Sequence, residues 1–374
     1  METTARPPWR DRCGFVVSES SAPEHLFDLP PEYLDQHLER WCQQHELPGY
    51  RAKQVRQHLI EGRIYDPEEM TSLPEALRQD LSTGLLRSPL ITAEQLRSSD
   101  GTIKFRFILE DGLSIESVWI PTEDRGTLCI SSQVGCAAGC TFCATGTMKL
   151  TRNLHSREIV SQWLAVHAAT TAEGLCGVTQ VVFMGMGEPL HNYPAVSRAI
   201  DWFSSAQGFH FSPRRITVST VGVVPRIREL VKDHPQVRLA VSLHSAIPET
   251  RNSIVPINTR HDLDQLGEVL EEIRGESRRI SIEYVLLPGI NDSDEEAKAL
   301  ALFAARCGAH INLLPFHPFE GAPYTAAGAA EVGRFQSMVQ KNYEGSVTAR
   351  RSRGLDIDGA CGQLVLKPRP DSPN

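Results

Sequence analysis

Cys136, Cys140 and Cys143 set three thiols close together in the stretch GCAAGCTFCATG, residues 135–146, with small residues (Gly135, Ala137, Ala138, Gly139) around the first two. Nine cysteines in a chain whose first residues carry no apolar signal-peptide core point to metal binding or catalysis before disulfides. The odd count also fits poorly with a fully paired framework. Thiolates are soft metal ligands, yet the common sites take four. Cys129 could complete a four-cysteine zinc site or a fully ligated electron-transfer cluster. Zinc sites of that kind usually come as two CxxC pairs, and Cys129 falls within a β-rich run, awkwardly far from the triplet. The missing fourth ligand is the question this sequence poses.

Other residues suit binding. In MGMGEPL, residues 184–190, Gly185 and Gly187 could let backbone approach a ligand, and Glu188 could accept hydrogen bonds from an ammonium group. The net charge of −8 argues against a nonspecific nucleic-acid coat but not against local basic surfaces. One such stretch is residues 48–63, with Arg51, Lys53, Arg56 and Arg63 against Glu61 alone; another is residues 348–354, with Arg350, Arg351 and Arg353. Taken alone, such runs are more often solvated charge on a helix or loop.

The elements that would position these groups follow from periodicity. At 374 residues the chain suits one large domain with a smaller attachment, and no apolar run reaches a membrane span. Residues 1–30 read as a flexible segment, and 31–95 as a helical accessory domain with apolar residues three and four apart. Residues 96–122 alternate about Asp111-Gly112 as a linking β-hairpin. From 123 to 366, six β-rich runs (127–132, 179–185, 214–220, 237–243, 278–287, 310–316) recur with helical stretches between most of them, which predicts right-handed βα units. Six units are too few for a closed eight-fold barrel, so the expected fold is α/β, a partial (β/α)6 barrel; residues 367–374 form a tail. The triplet follows the first strand, MGMGEPL the second, STVG the third and SLHS the fourth. That is the strand-end rim where βα barrels do chemistry.

The CxxxCxxC spacing is the signature of radical S-adenosylmethionine (SAM) enzymes. From about residue 30 to 366 the chain resembles the RlmN family of radical SAM RNA methyltransferases, with the sister Cfr family close behind. The resemblance rests on LPGYRAKQVRQHL, MTSLPEALR, DRGTLCISSQVGCAAGCTFCATG, MGMGEPL, RRITVSTVGVVP, SLHS, IVPIN, EYVLL, INLLPFHPFEGAPY and DIDGACGQL. It implies a radical SAM barrel with an N-terminal RNA-binding domain, and a [4Fe–4S] cluster on Cys136, Cys140 and Cys143 whose fourth iron is left to SAM. It also implies SAM contacts at Gly187, Glu188, Ser219, Ser242, Leu243, His244 and Asn312.

The resemblance assigns three further roles. Carbon 2 of adenine is electron-poor and will not attack the methyl of SAM. In the family's scheme one SAM therefore methylates Cys361, and the radical from a second SAM takes hydrogen from that S-methyl group. The carbon radical then adds to the base. Glu116 matches the proton acceptor, and Cys129 matches the thiol that releases product through a transient disulfide with Cys361. Implied substrates are an adenosine of 23S rRNA near the peptidyl transferase centre and the adenosine 3′ of the tRNA anticodon. The two basic stretches would then contact phosphates, and a flavodoxin or ferredoxin would donate electrons to a cytoplasmic monomer. Leu355, Gly359, His317 and Glu320 depart from the family text. Carbon 8 methylation, as in Cfr, and a non-catalytic iron–sulfur RNA-binding protein are the competing readings.

Overall fold

In the computed structural model the described residues are 25–62, 64–275 and 279–364, with a two-residue strand pair at Trp9–Arg10 and Val16–Val17. The expected tail, most of the expected N-terminal segment and Arg63 lie outside them. Residues 25–30 are described, and there Leu26 and Phe27 are buried. Among the described residues no helix is long and apolar enough to cross a membrane.

The chain divides into two compact units. The first joins residues 1–89 with 155–164 and 194–212. Its core is aromatic: Trp202 meets Phe27 edge-on at 5.0 Å between centroids, and Trp163 stacks on Phe209 at 5.2 Å. The indole N–H of Trp202 donates to the Leu29 carbonyl at 2.7 Å, which satisfies a buried donor. Asp28 ties the segments together, accepting from Arg157 at 2.5 Å and from the Ser156 hydroxyl at 3.0 Å. Helix Leu34–Gln44 turns Leu34, Leu38, Trp41 and Cys42 inward, with His37 beside them.

The second unit holds one ten-stranded sheet. Strands Arg125–Cys129, Gln180–Phe183, Ile216–Thr220, Arg238–Ser242, Ile280–Leu286, His310–Pro315 and Val347–Ala349 lie side by side in chain order, all parallel. These are the six expected strands plus a short seventh. Antiparallel strands Ser114–Thr122, Ile103–Leu109 and Leu90–Arg97 extend the sheet beyond Arg125–Cys129. The turn between Leu109 and Ser114 forms where expected: Gly112 takes φ +81 and the Leu113 amide donates to the Asp111 carboxylate at 3.1 Å. The hairpin thus carries an extra leading strand and is continuous with the barrel sheet. Helix ends follow the sequence chemistry. Ser293 caps Asp294–Cys307 through the Glu296 amide, acids fill its first turn, and Gly308 closes it in the left-handed region.

His37 gives the first unit a pH dependence. Burial, with the Arg40 charge as a lesser cause, holds its imidazole down at about 4. A histidine whose folded pKa is depressed binds its proton more readily unfolded, so stability is full above about 6.5 and falls as pH drops towards 4. The loss should be about 3 kcal/mol. Melting followed by circular dichroism from pH 7 to 4 should show it in the wild type and should flatten in His37→Leu; an equal slope in both would remove His37 as the cause.

Candidate active site

Strand Arg125–Cys129 delivers the chain to the triplet. Cys140 is buried in an apolar pocket with Phe142, Ile254, Val255 and Phe316, and Cys136 and Cys143 pack against it. A one-turn helix, Ala144–Thr147, follows Cys143. Gly146 must be glycine there, because a Cβ would stand 2.5 Å from the Cys140 carbonyl oxygen. The Ala138 amide donates to the Cys136 sulfur at 3.4 Å. Burial pushes the Cys136 thiol up to about 12, and the charges of Glu188 and Cys143 add to it. Cys140 is raised further by burial and by both neighbouring thiols, and Cys143 by burial.

Three such thiols cannot ionise beside one another without positive charge in their midst. Among the described residues no three His, Cys, Asp or Glu side chains form a finished metal cage. What fits an iron–sulfur group is the donor chemistry: three soft ligands, an N–H on one sulfur, and an apolar wall.

The MGMGEPL loop is braced by contacts within the protein. Gly187 has φ +102, and a Cβ there would fall 2.5 Å from the Gln133 Cβ, so the glycine makes room for the Gln133 side chain. The buried Glu188 carboxylate accepts from the Leu190 amide at 3.0 Å and the Val221 amide at 2.9 Å, tying two strand-end loops. Burial raises it to about 7 against those bonds. Ser219 and Ser242 hydroxyls meet at 3.2 Å, and the Leu243 amide donates to the Glu283 carbonyl. His244 sits at φ +60, its Nδ1 accepting from the Val285 amide at 3.0 Å and its ring edge-on to Phe142 at 4.5 Å. Burial, and then Arg251, hold it down at about 3, so it is a neutral Nε2–H donor. Asn312 donates to Glu283 at 2.8 Å and accepts from Arg350 at 3.0 Å.

The structure brings Cys361 to this rim. The carbonyl of Gly362 accepts from the Ala144 amide at 2.7 Å, and that of Leu364 from the Thr145 hydroxyl at 2.6 Å, across 219 positions of sequence. Cys361 lies in an exposed turn, yet burial pushes its thiol up to about 11; Glu283 and Cys143 add to this and Arg350 opposes it. Cys129 is a buried free thiol, raised by burial and then by the charge of Cys361. Both thiols are free here, so the disulfide of the family's scheme is not formed in this state.

Glu116 is buried and pairs with Lys104 at 3.2 Å. Lys104 also donates to the Asp358 carbonyl at 3.4 Å. The turn before it grips the same loop: the Ser98 hydroxyl donates to Asp356 at 2.5 Å, the Ser99 amide to Asp356 at 3.0 Å, and the Gly354 amide to Asp100 at 3.0 Å. Sequence reasoning missed Lys104, Asp100, Asp356 and Glu283; a lysine in an alternating strand reads as solvent-facing, and nothing local signals its distant partner. Of the departures from the family text, His317 bonds the Ser352 hydroxyl at 2.6 Å, while Leu355 and Glu320 are exposed. At Gly359 a Cβ would meet the Gly354 carbonyl at 3.2 Å.

The expected RNA contacts divide. In the first unit Lys53 is exposed, Arg51 lies over the Tyr50 ring at 4.9 Å, and Arg56 is paired with Asp35 at 2.7 Å. In the second, Arg350 turns to Asn312 and Arg353 to the Asp100 carbonyl, and Arg351 stays exposed.

Residues 130–301 match the Radical SAM superfamily. With the mostly parallel sheet and the three-cysteine loop at its rim, this defines a radical SAM enzyme. The chain is 44% identical over 333 residues to a dual-specificity RNA methyltransferase RlmN of Anaeromyxobacter dehalogenans, covering 87% of this chain and 88% of that one. It is 44% identical over 350 residues to the Geobacter sulfurreducens protein of the same name, covering 92% and 94%. A crystal structure of a radical SAM methyltransferase from Sphaerobacter thermophilus matches with TM-score 0.85 at 41% identity, covering 91% of this chain and 99% of that one. The chain belongs to the RlmN family of radical SAM methyltransferases, and so to enzymes that use a [4Fe–4S] cluster and SAM.

The grip on the Cys361 loop is testable without turnover. Asp356→Ala should leave the melting temperature unchanged and speed alkylation of Cys361 by iodoacetamide several-fold, measured by peptide mass spectrometry. An unchanged rate would show that Asp356 does not hold the loop.

Proposed function

We propose that the protein methylates carbon 2 of an adenosine in 23S rRNA and of the adenosine 3′ of the anticodon in tRNAs, through an S-methylcysteine at Cys361. It would act as a cytoplasmic monomer supplied with electrons by a flavodoxin or ferredoxin. The observation that carries this reading is the Gly362–Ala144 hydrogen bond, which sets the Cys361 turn against the residue after Cys143. A non-catalytic iron–sulfur module has no use for a second thiol there, nor for a third at Cys129 within its electrostatic reach. Carbon 2 rather than carbon 8 is what membership of the RlmN family, and not of the Cfr family, implies.

In this reading Cys136, Cys140 and Cys143 hold the cluster, and Glu188, Ser219, Ser242, Leu243, His244 and Asn312 line the SAM site with Gly187. When bound, cluster and SAM supply a carbon radical able to take hydrogen from a methyl group. Cys361 is the methyl carrier; its thiol must ionise to accept the group, and Arg350 is the cation that favours this. Lys104 holds the Glu116 carboxylate in place at 3.2 Å, and Glu116 takes the ring proton once the methylene has joined the base. Cys129 then attacks the Cys361 sulfur to form a disulfide, and the sulfur–methylene bond breaks with its electron pair going to the methylene carbon. That carbon takes up a proton to become the methyl group, and the unpaired electron left by the radical addition is given up to the enzyme's one-electron carrier. In the helical unit, Lys53 and Arg51 would meet phosphates, and the exposed Tyr50 ring offers a face for a splayed base.

Nucleoside mass spectrometry of rRNA and tRNA after reaction with SAM should give 2-methyladenosine; 8-methyladenosine, or no methylation, would sink the proposal. Cys361→Ala should transfer no methyl to protein or RNA. Cys129→Ala should instead stall as RNA joined to Cys361 through a methylene, seen as a nuclease-sensitive shift on a denaturing gel. Normal turnover of Cys129→Ala would return Cys129 to a packing role.

RNA affinity should fall steeply with salt despite the acidic total charge. Arg51→Ala with Lys53→Ala should weaken it several-fold in filter binding and leave reductive SAM cleavage intact. Unchanged affinity would make this helix structural only.

A further inference from the structure

Arg251 has no exposed surface. It lies in the short helix Pro248–Ile254, and its guanidinium donates to the carbonyls of Val221 at 2.6 Å, Ser242 at 3.1 Å and Leu243, and to the Asn258 amide oxygen at 2.9 Å. Every one of these acceptors is neutral. Among the described residues Arg251 enters no ion pair within 4.0 Å. A fully buried cation without an anion is among the costliest arrangements a protein can hold, so one is to be sought nearby.

The geometry leads to the triplet. The last turn of the Arg251 helix receives the cluster loop: the Thr141 amide donates to the Ile254 carbonyl at 3.1 Å. Ile254 and Val255 wall the pocket that contains Cys140. Cys140 and Arg251 lie within each other's electrostatic reach. The Val221 peptide links the two sides, its carbonyl on Arg251 and its amide on Glu188.

We propose that Arg251 is the internal counter-cation of the thiolate-bound cluster, a positioning residue that joins three strand-end loops and raises the cluster's reduction potential. This rests on the reading that Cys136, Cys140 and Cys143 are the ligands. An oxidised [4Fe–4S] core of charge 2+ with three thiolates carries one net negative charge. Reduction by one electron makes it two. A fixed cation in a dry pocket favours the more negative state. The same charge explains why an arginine is tolerated there without a carboxylate: the anion arrives with the iron.

The test is a redox titration of the reconstituted enzyme without RNA, followed by electron paramagnetic resonance. Arg251→Met should lower the midpoint potential by at least 59 mV, a tenfold change in the one-electron equilibrium. Arg251→Lys, which keeps the charge and loses most of the hydrogen bonds, should stay closer to wild type. A wild-type potential in Arg251→Met would overturn the inference, as would equal shifts in both variants. A wild-type protein that shows no [4Fe–4S] signal would instead overturn the ligand reading beneath it. Should Arg251→Met not retain a cluster, iron content is compared between Arg251→Lys and Arg251→Gln. Lysine should load to near wild-type content and glutamine to much less, and equal loading would overturn the proposal.

Discussion

The hydrogen bond from the Ala144 amide to the Gly362 carbonyl, 2.7 Å long, is the contact on which the placing of the Cys361 turn depends. It fixes a turn near the end of the chain against the residue that follows Cys143. Without it Cys361 would be one thiol on a loop, and the three cysteines would stand alone. Its partners reinforce it from opposite sides. Thr145 takes the Leu364 carbonyl, while Ser98, Asp100 and Lys104 hold the preceding stretch from 354 to 358. A turn held at both ends keeps its thiol in one place and can still exchange reaction partners.

Charge in the interior is arranged by the same economy of partners. Glu188 is braced by two backbone amides, Glu116 by a buried lysine, Asn312 by an acid on one side and a base on the other. Each polar group joins at least two elements of the rim, so no strand-end loop is free to drift independently. His244, in the left-handed region with its Nδ1 occupied, is locked in a single tautomer for the same reason.

The barrel was legible because its strands are short apolar runs and some of its helices open on clear caps, as Ser293 and Asp262 illustrate. The rim position of the cysteine triplet followed from that alternation alone. What stayed hidden depends on distant partners. Lys104 reads as solvent-facing because its strand alternates, yet it is buried against Glu116 of the next strand. Arg56 reads as a phosphate contact until Asp35 is found beside it. Arg251 sits in PETRNSI, which looks like a surface helix; only the fold shows that its side chain points inward. The Gln133 side chain that a Cβ at Gly187 would strike is equally invisible in the sequence.

The grip of Ser99 on Asp356 spans 257 positions, and this has a bearing on the protein's birth. A chain leaves the ribosome from its N-terminus at about 5–20 residues per second. The hairpin and the cysteine triplet are therefore made on the order of 10 s or more before the segment that bears Cys361. The last thiol arrives only afterwards, into a socket already formed. Synthesis itself thus separates the making of the cysteine triplet from that of Cys361, and a chain cut short before Leu364 would lack the carbonyl that Thr145 holds.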